Sequence, residues 1–182
     1  MNITDLTVEM TELIPQAARL LTEAFAHHWP NAWPSLEHGL DEVHEILSRE
    51  HILRVALEDG RVVGWVGGAP EYDGHVWELH PLVVSPSRQR QGIGAALVRD
   101  FEQQVKARGG LTILLGSDDE DGMTSLAFTD LYTEVWEKIR AIRNLKGHPF
   151  EFYQKLGFTI VGVVPDANGR GKPDIMLAKR VE

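Results

Sequence analysis

Between Val76 and Val84 the chain reads Val-Trp-Glu-Leu-His-Pro-Leu-Val-Val, an apolar-rich run bounded by turn residues. On an extended strand the side chains alternate, so Glu78, His80 and Leu82 point to one face while Leu79, Pro81 and Val83 point to the other. A carboxylate and an imidazole two positions apart on a strand can take up and pass on a proton, and the unperturbed imidazole titrates nearest neutrality. A solvated strand-end glutamate and a packed core histidine are the bland alternatives at these positions.

The same strand leads into Arg88-Gln89-Arg90-Gln91-Gly92-Ile93-Gly94-Ala95, after which a helix begins. Unpaired N–H groups and the dipole at a helix start attract anions. Gly92 and Gly94 lack the Cβ atoms that would hold a pyrophosphate off those donors, and Arg88 and Arg90 add positive charge. Glycines also serve helix starts for steric reasons alone. The Walker lysine and serine/threonine ending is absent, and the dinucleotide fingerprint lacks its third glycine, so a nucleotide triphosphatase and a dehydrogenase fit poorly.

Further along, Asp118, Asp119, Glu120 and Asp121 follow the apolar run Leu111 to Leu115. Loops at strand ends commonly contact ligands, and four acids there would suit ammonium groups; a solvated turn is the alternative. The histidines, including His27, His28 and His148, show no metal-ligand spacing with acidic partners, so no metal is expected.

These residues need a frame. Leu13, Ala17, Leu20, Leu21 and Ala24 recur at helical spacing, as do Leu36, Leu40, Val43 and Leu47, so two helices are expected first. Between them lies a Pro-rich loop holding Trp29 and Trp33. Asp59-Gly60 separates Ile52–Leu57 from Arg61–Gly67 as a hairpin turn. Ile93, Leu97, Phe101 and Val105 define a helix stopped at Gly109-Gly110. Phe128, Leu131, Val135, Ile139 and Ile142 predict another, with a short helix around Phe150 to Leu156 and strands at Thr159–Val164 and Ile175–Lys179. The pattern α-α-β-β-β-α-β-α-α-β-β predicts an α/β (α+β) fold, a mixed sheet flanked by helices.

The 182 residues, 43% hydrophobic and 25% charged, suit one globular domain spanning 1–182, with no linker or repeat to divide it. The start of the chain carries Asp5, Glu9 and Glu12 without an apolar segment, so no signal peptide or membrane anchor is expected and a cytoplasmic location is. With no cysteine, thiolate chemistry is excluded. A formal net charge of -9 argues against nucleic acid and favours a cationic partner.

The strand-turn-helix around Gln89, Gly92 and Gly94 resembles the acetyl-CoA motif of the GNAT superfamily, Gln/Arg-x-x-Gly-x-Gly/Ala. Trp77 to Val84, Asp130-Leu131-Tyr132, His148 to Tyr153, Pro165 to Gly169 and Lys172 to Ile175 are similar to one subclass, the dimeric chromosomal-type aminoglycoside 6'-N-acetyltransferases. The likeness runs from about Glu71 to Lys179, with Trp29-Pro30 matching in the amino-terminal part.

The resemblance implies a mostly antiparallel sheet, a homodimer, acetyl-CoA as acetyl donor and an aminoglycoside amine as acceptor. It implies a cofactor site at Leu82, Val83, Val84 and the Gln89, Arg90, Gln91, Gly92, Ile93, Gly94, Ala95 turn. Glu78 would receive the amine proton, directly or through a water held by His80. The Leu82 N–H would donate to the thioester carbonyl, and Tyr153 would stand near the sulfur as general acid. Asp118, Asp121 and Glu78 would hold the acceptor, with Trp29 and Tyr72 as flat walls offering cation–π contact. Another amine acetyltransferase, or an acetyl-CoA-binding module without catalysis, would share the cofactor motif.

Overall fold

The computed structural model describes residues 1–27, 29–47 and 50–181. His28, one of the histidines set aside as metal ligands, lies outside them. The chain forms two compact units, Met1–Ile113 with Val181, and Leu114–Arg180.

In the first unit, β1 (Asn2–Asp5), α1 (Ile14–Phe25), α2 (Leu36–Leu47), β2 (Ile52–Glu58), β3 (Arg61–Glu71), β4 (Val76–Val84) and α3 (Ile93–Ala107) follow one another. The strands lie in the order β1-β2-β3-β4, each antiparallel to its neighbour. The expected hairpin is present: Asp59 and Gly60 both take positive φ, 49° and 75°, the pairing that matches the twist of the joined strands.

Pro15 sits in the first turn of α1, where a missing N–H costs no helix bond. The helix then buries Ile14, Ala17, Ala18, Leu20 and Leu21. Trp65 of β3 is fully buried beneath it and donates its indole N–H to the Ala17 carbonyl at 3.0 Å, so the largest core side chain also satisfies its polar atom. Truncating such a residue to alanine costs about 3–5 kcal/mol. The three helices α1, α2 and α3 pack against β2, β3 and β4.

β1 is a strand where the sequence pattern starts with helices. Its four residues hold too little apolar alternation to register as a strand. Its state comes from pairing, Asn2 opposite Leu57 through Asp5 opposite Arg54. Arg54 is buried in β2 and meets Asp5 at 2.7 Å and Asp100 of α3 at 2.6 Å, so β1 supplies one of the two carboxylates that pair a buried guanidinium. Burial lowers and the two carboxylates raise the guanidinium's proton affinity, and the balance is upward.

In the second unit, β5 (Thr112–Asp118), which begins at the end of the first, precedes α4 (Val135–Arg140), α5 (Phe150–Lys155), β6 (Thr159–Val164) and β7 (Asp174–Arg180). The strand order is β5-β7-β6, with β6 and β7 antiparallel. Its helices are shorter than the apolar spacing predicts. Phe128 is not on a helix: its φ is 57°, its N–H bonds Gly171 at 2.8 Å, and its ring is 70% exposed. Side chains claim the backbone donors that a helix would use. Asp130 takes the N–H of Tyr132, and just before the segment Asp119 takes those of Met123 and Thr124 and Thr124 that of Leu126. Glu134, left-handed at φ 49°, starts α4 within this segment.

Candidate active site

Along β4 the exposure alternates as an extended strand requires. Trp77, Leu79, Pro81 and Val83 are buried; Glu78 and His80 are exposed; Leu82 is half-buried on their side. The strand is not regular. Val66 pairs with Leu82 and Gly68 with Leu79, so His80 and Pro81 together oppose the single residue Gly67. That is a β-bulge at the position of the histidine, and its His80–Pro81 peptide is cis. Two glycines of β3 make room for it. A Cβ on Gly67 would lie 2.7 Å from the His80 carbonyl oxygen, and one on Gly68 would overlap the Phe101 ring and crowd the Glu78 carbonyl.

Trp33, from the loop between α1 and α2, stands beside His80 with ring centroids 5.8 Å apart. Trp29, expected with Tyr72 as a substrate wall, is half-buried and packs on Phe25 at 5.4 Å. Tyr72 is 73% exposed, with φ 48°, in a single 3-10 turn before β4.

After β4, Gly92 caps α3 in the left-handed region, φ 88°, and no side chain bonds the helix start from that position. A Cβ on Gly92 would project into open space. The first N–H groups of a helix have no partner within it, so the turn offers unblocked donors to an anion. Gln89 and Gln91 donate to the carbonyls of Val84 and Ser87, at 3.3 Å each, which braces the turn against the strand end. Arg90 is exposed, with φ 60°, but Arg88 is committed to an ion pair with Glu58, so only part of the positive charge expected at this turn faces outward. Leu82 and Val84 are half-buried and Val83 is buried; Ile93 is core, and Gly94 and Ala95 lie in the first helical turn.

In the second unit, Tyr153 is half-buried on α5 between Phe152 and Phe158, at ring distances of 5.0 and 5.6 Å. Burial raises its phenol pKa well above the ordinary value of 10.0, so it holds its proton throughout the neutral range. Phe152 and Leu156 are only half-buried; Phe150 is the core residue of α5.

The acidic run divides by role. Asp118 is half-buried and accepts a bond from the Asn168 amide. Asp119 is fully buried, with its carboxylate on Met123 N and Thr124 N at 2.6 and 2.8 Å. Glu120 pairs with Lys172 at 3.3 Å. Asp121 is exposed, and its carbonyl accepts from Lys146 at 3.0 Å. The four acids are therefore not equivalent ammonium sites. Sequence reasoning missed Asn168 and the buried His148 as their supports, since a lone polar side chain carries no spacing signal. Among the described residues no group of three or more His, Asp or Glu is arranged to hold a metal.

The sequence profile of the acetyltransferase (GNAT) family matches residues 15–130. The chain belongs to the GNAT acetyltransferase family. It is thus an acyltransferase, and its mixed, mostly antiparallel strands flanked by helices are the GNAT fold that the sequence predicts. Solved GNAT structures resemble it over their full length. An aminoglycoside 6'-N-acetyltransferase complexed with coenzyme A is 41% identical with a TM-score of 0.92, covering 100% of this chain and 98% of its own. The aminoglycoside 6'-N-acetyltransferase from Enterococcus faecium is 41% identical with a TM-score of 0.90 and the same coverage. An aminoglycoside 6'-acetyltransferase type Ii is 36% identical with a TM-score of 0.76, again covering 100% and 98%. No curated protein sequence matches the chain.

Proposed function

We propose that this GNAT protein is an acetyl-CoA-dependent aminoglycoside 6'-N-acetyltransferase that acts by direct attack of the amine on the thioester. The full-length likeness to aminoglycoside 6'-N-acetyltransferases at 41% identity carries this reading. The Gln89–Ala95 turn suits the pyrophosphate of the donor because its donors are uncapped and the space beside Gly92 is open. The whole chain, 1–182, serves as one N-acetyltransferase domain.

In the reaction, the C–N bond forms as the amine attacks the acetyl carbonyl carbon, and the C–S bond breaks with its electron pair passing to sulfur. Glu78 receives the proton that the amine must shed, directly or through a water held by His80. The Leu82 N–H, next to the bulge, donates to the carbonyl oxygen as negative charge develops there. Tyr153, protonated in the neutral range, gives its proton to the departing thiolate. Asp118 and Asp121 attract the acceptor's remaining ammonium groups, and Trp29 and Tyr72 offer apolar walls. The net charge of -9 favours such a cationic acceptor over nucleic acid.

The test is regiochemical, because only one amine of a multiply charged acceptor reaches the thioester carbon in attack geometry. Kanamycin-type substrates should be acetylated at the 6'-amine, located by mass spectrometry and NMR of the product. Analogues with a 6'-hydroxyl should bind as cations yet turn over poorly. Acetylation at another amine, or of polyamines or peptides in preference, overturns the assignment.

The protein acts in the cytoplasm as a homodimer and confers antibiotic resistance in this reading. No helix among the described residues is long and apolar enough to cross a membrane. Phe128, Tyr132 and Trp136 are each more than 60% exposed in the second unit, apolar surface of the kind a subunit interface covers. A sedimenting species of one chain's mass overturns the dimer.

A further inference from the structure

We propose that Trp33 is a positioning residue for His80, and that Glu42 holds Trp33 in turn. The inference rests on the reading of His80 as the group that carries water to the amine. His80 stands on the exposed face of β4, at a bulge where strand pairing is interrupted, and a side chain there is free to change rotamer unless something walls it in. Trp33 supplies that wall: its ring lies 5.8 Å from the imidazole at 35°.

The indole is itself fixed from two helices. Its Nε1 donates to Glu42 Oε2 of α2 at 3.1 Å, and Phe25 at the end of α1 packs edge-on to it at 4.9 Å and 71°. Half-buried, it also packs against the core of the first unit. A directional hydrogen bond and an aromatic contact together leave the ring plane little freedom, and the ring so held is the one that His80 meets. Gly67 of β3, which His80 and Pro81 oppose at the bulge, has no side chain to restrain the histidine. The helix-loop-helix at the start of the chain therefore does more than cover β4: it sets the direction of one imidazole.

The experiment is a double-mutant cycle in kcat for aminoglycoside acetylation, using Trp33→Ala, His80→Ala and the pair, joined to the NMR shift of the His80 ring protons. Aromatic pairs of this kind couple by roughly 2- to 10-fold in an equilibrium or rate. Trp33→Ala should lower kcat by about that factor with the aminoglycoside KM little changed, and should lower it no further once His80 is alanine. Trp33→Phe should keep most of the rate, and Glu42→Gln, which retains an acceptor oxygen, should outperform Glu42→Ala. The His80 ring-proton signals should lose their ring-current shift in Trp33→Ala.

Equal losses in both backgrounds, or a change confined to KM, would make Trp33 a substrate wall and overturn the inference. So would His80 signals that ignore Trp33→Ala. If His80→Ala alone leaves kcat unchanged, the reading of His80 fails, while the ring-proton shift still decides the contact.

Discussion

His148 Nε2 donates to the main-chain carbonyl of Asp118 at 3.1 Å, joining the end of β5 to the start of α5. The direction follows from the other ring nitrogen: Phe150 N–H can only donate, so Nδ1 accepts its bond at 3.2 Å and the proton resides on Nε2. The ring is 2% exposed and works as a neutral imidazole between the strand end that bears Asp118 and the helix that bears Tyr153.

Burial lowers the pKa of His148 from its ordinary 6.5, against weaker raising effects of the Asp118 carbonyl and the Asp118 and Asp119 carboxylates. A histidine whose folded pKa is depressed binds its proton first in the unfolded chain. Stability is therefore complete above 6.5 and falls as the pH drops below it, until the depressed folded value is reached. Thermal melts from pH 7.5 downward should show this decline, and His148→Gln should start less stable and lose part of the slope.

Asp119→Ala should destabilise the protein by roughly 2–4 kcal/mol, because a fully buried carboxylate leaves two buried N–H groups, of Met123 and Thr124, without acceptors. Urea unfolding measures it. A cost near that of a surface alanine would mean that water replaces the carboxylate.

Gly92→Val should weaken acetyl-CoA binding about tenfold or more while the protein stays folded. At φ 88° a branched side chain is strained, and its Cβ would occupy the open approach to the turn. Calorimetry on the folded variant gives the answer, and unchanged affinity would remove the pyrophosphate from this turn.

Glu78→Gln should lower turnover by about 10²-fold at neutral pH and recover partly at higher pH, where more of the acceptor amine is already neutral. Binding should suffer less. A mutant pH–rate profile parallel to the wild type would exclude Glu78 from proton removal.

Tyr153→Phe should reduce kcat with little change in acetyl-CoA affinity. Since burial raises the phenol's pKa, the wild-type rate should show no loss from Tyr153 ionisation up to its ordinary value of 10.0. Free-CoA release followed against pH tests both parts, and a full-rate phenylalanine variant excludes the phenol from catalysis.

Elements whose residues repeat locally were readable in the chain itself. The α1 and α3 stripes, the Asp59-Gly60 turn, the alternation on β4 and the glycine-bearing turn before α3 are short-range patterns, and each reflects a preference that its own residues express without distant partners. The family motif around Gln89, Gly92 and Gly94 belongs with them, because a helix start that leaves its N–H groups open is a property of a few consecutive residues.

Long-range pairing decided the rest. β1 exists through its partner β2 and an Arg54 that joins residues far apart in sequence, and the helix expected at Phe128–Ile142 shrinks to Val135–Arg140, the Phe128 N–H going instead to the Gly171 carbonyl and the Tyr132 N–H to Asp130. The bulge at His80 appears only when β4 is laid against β3, since two residues facing one is a relation between strands. Likewise, nothing within Asp118–Asp121 distinguishes a buried cap from a surface carboxylate; burial does, and it is a property of everything packed around the loop. Trp33 and His80 lie 47 positions apart by number, and only folding sets one ring beside the other.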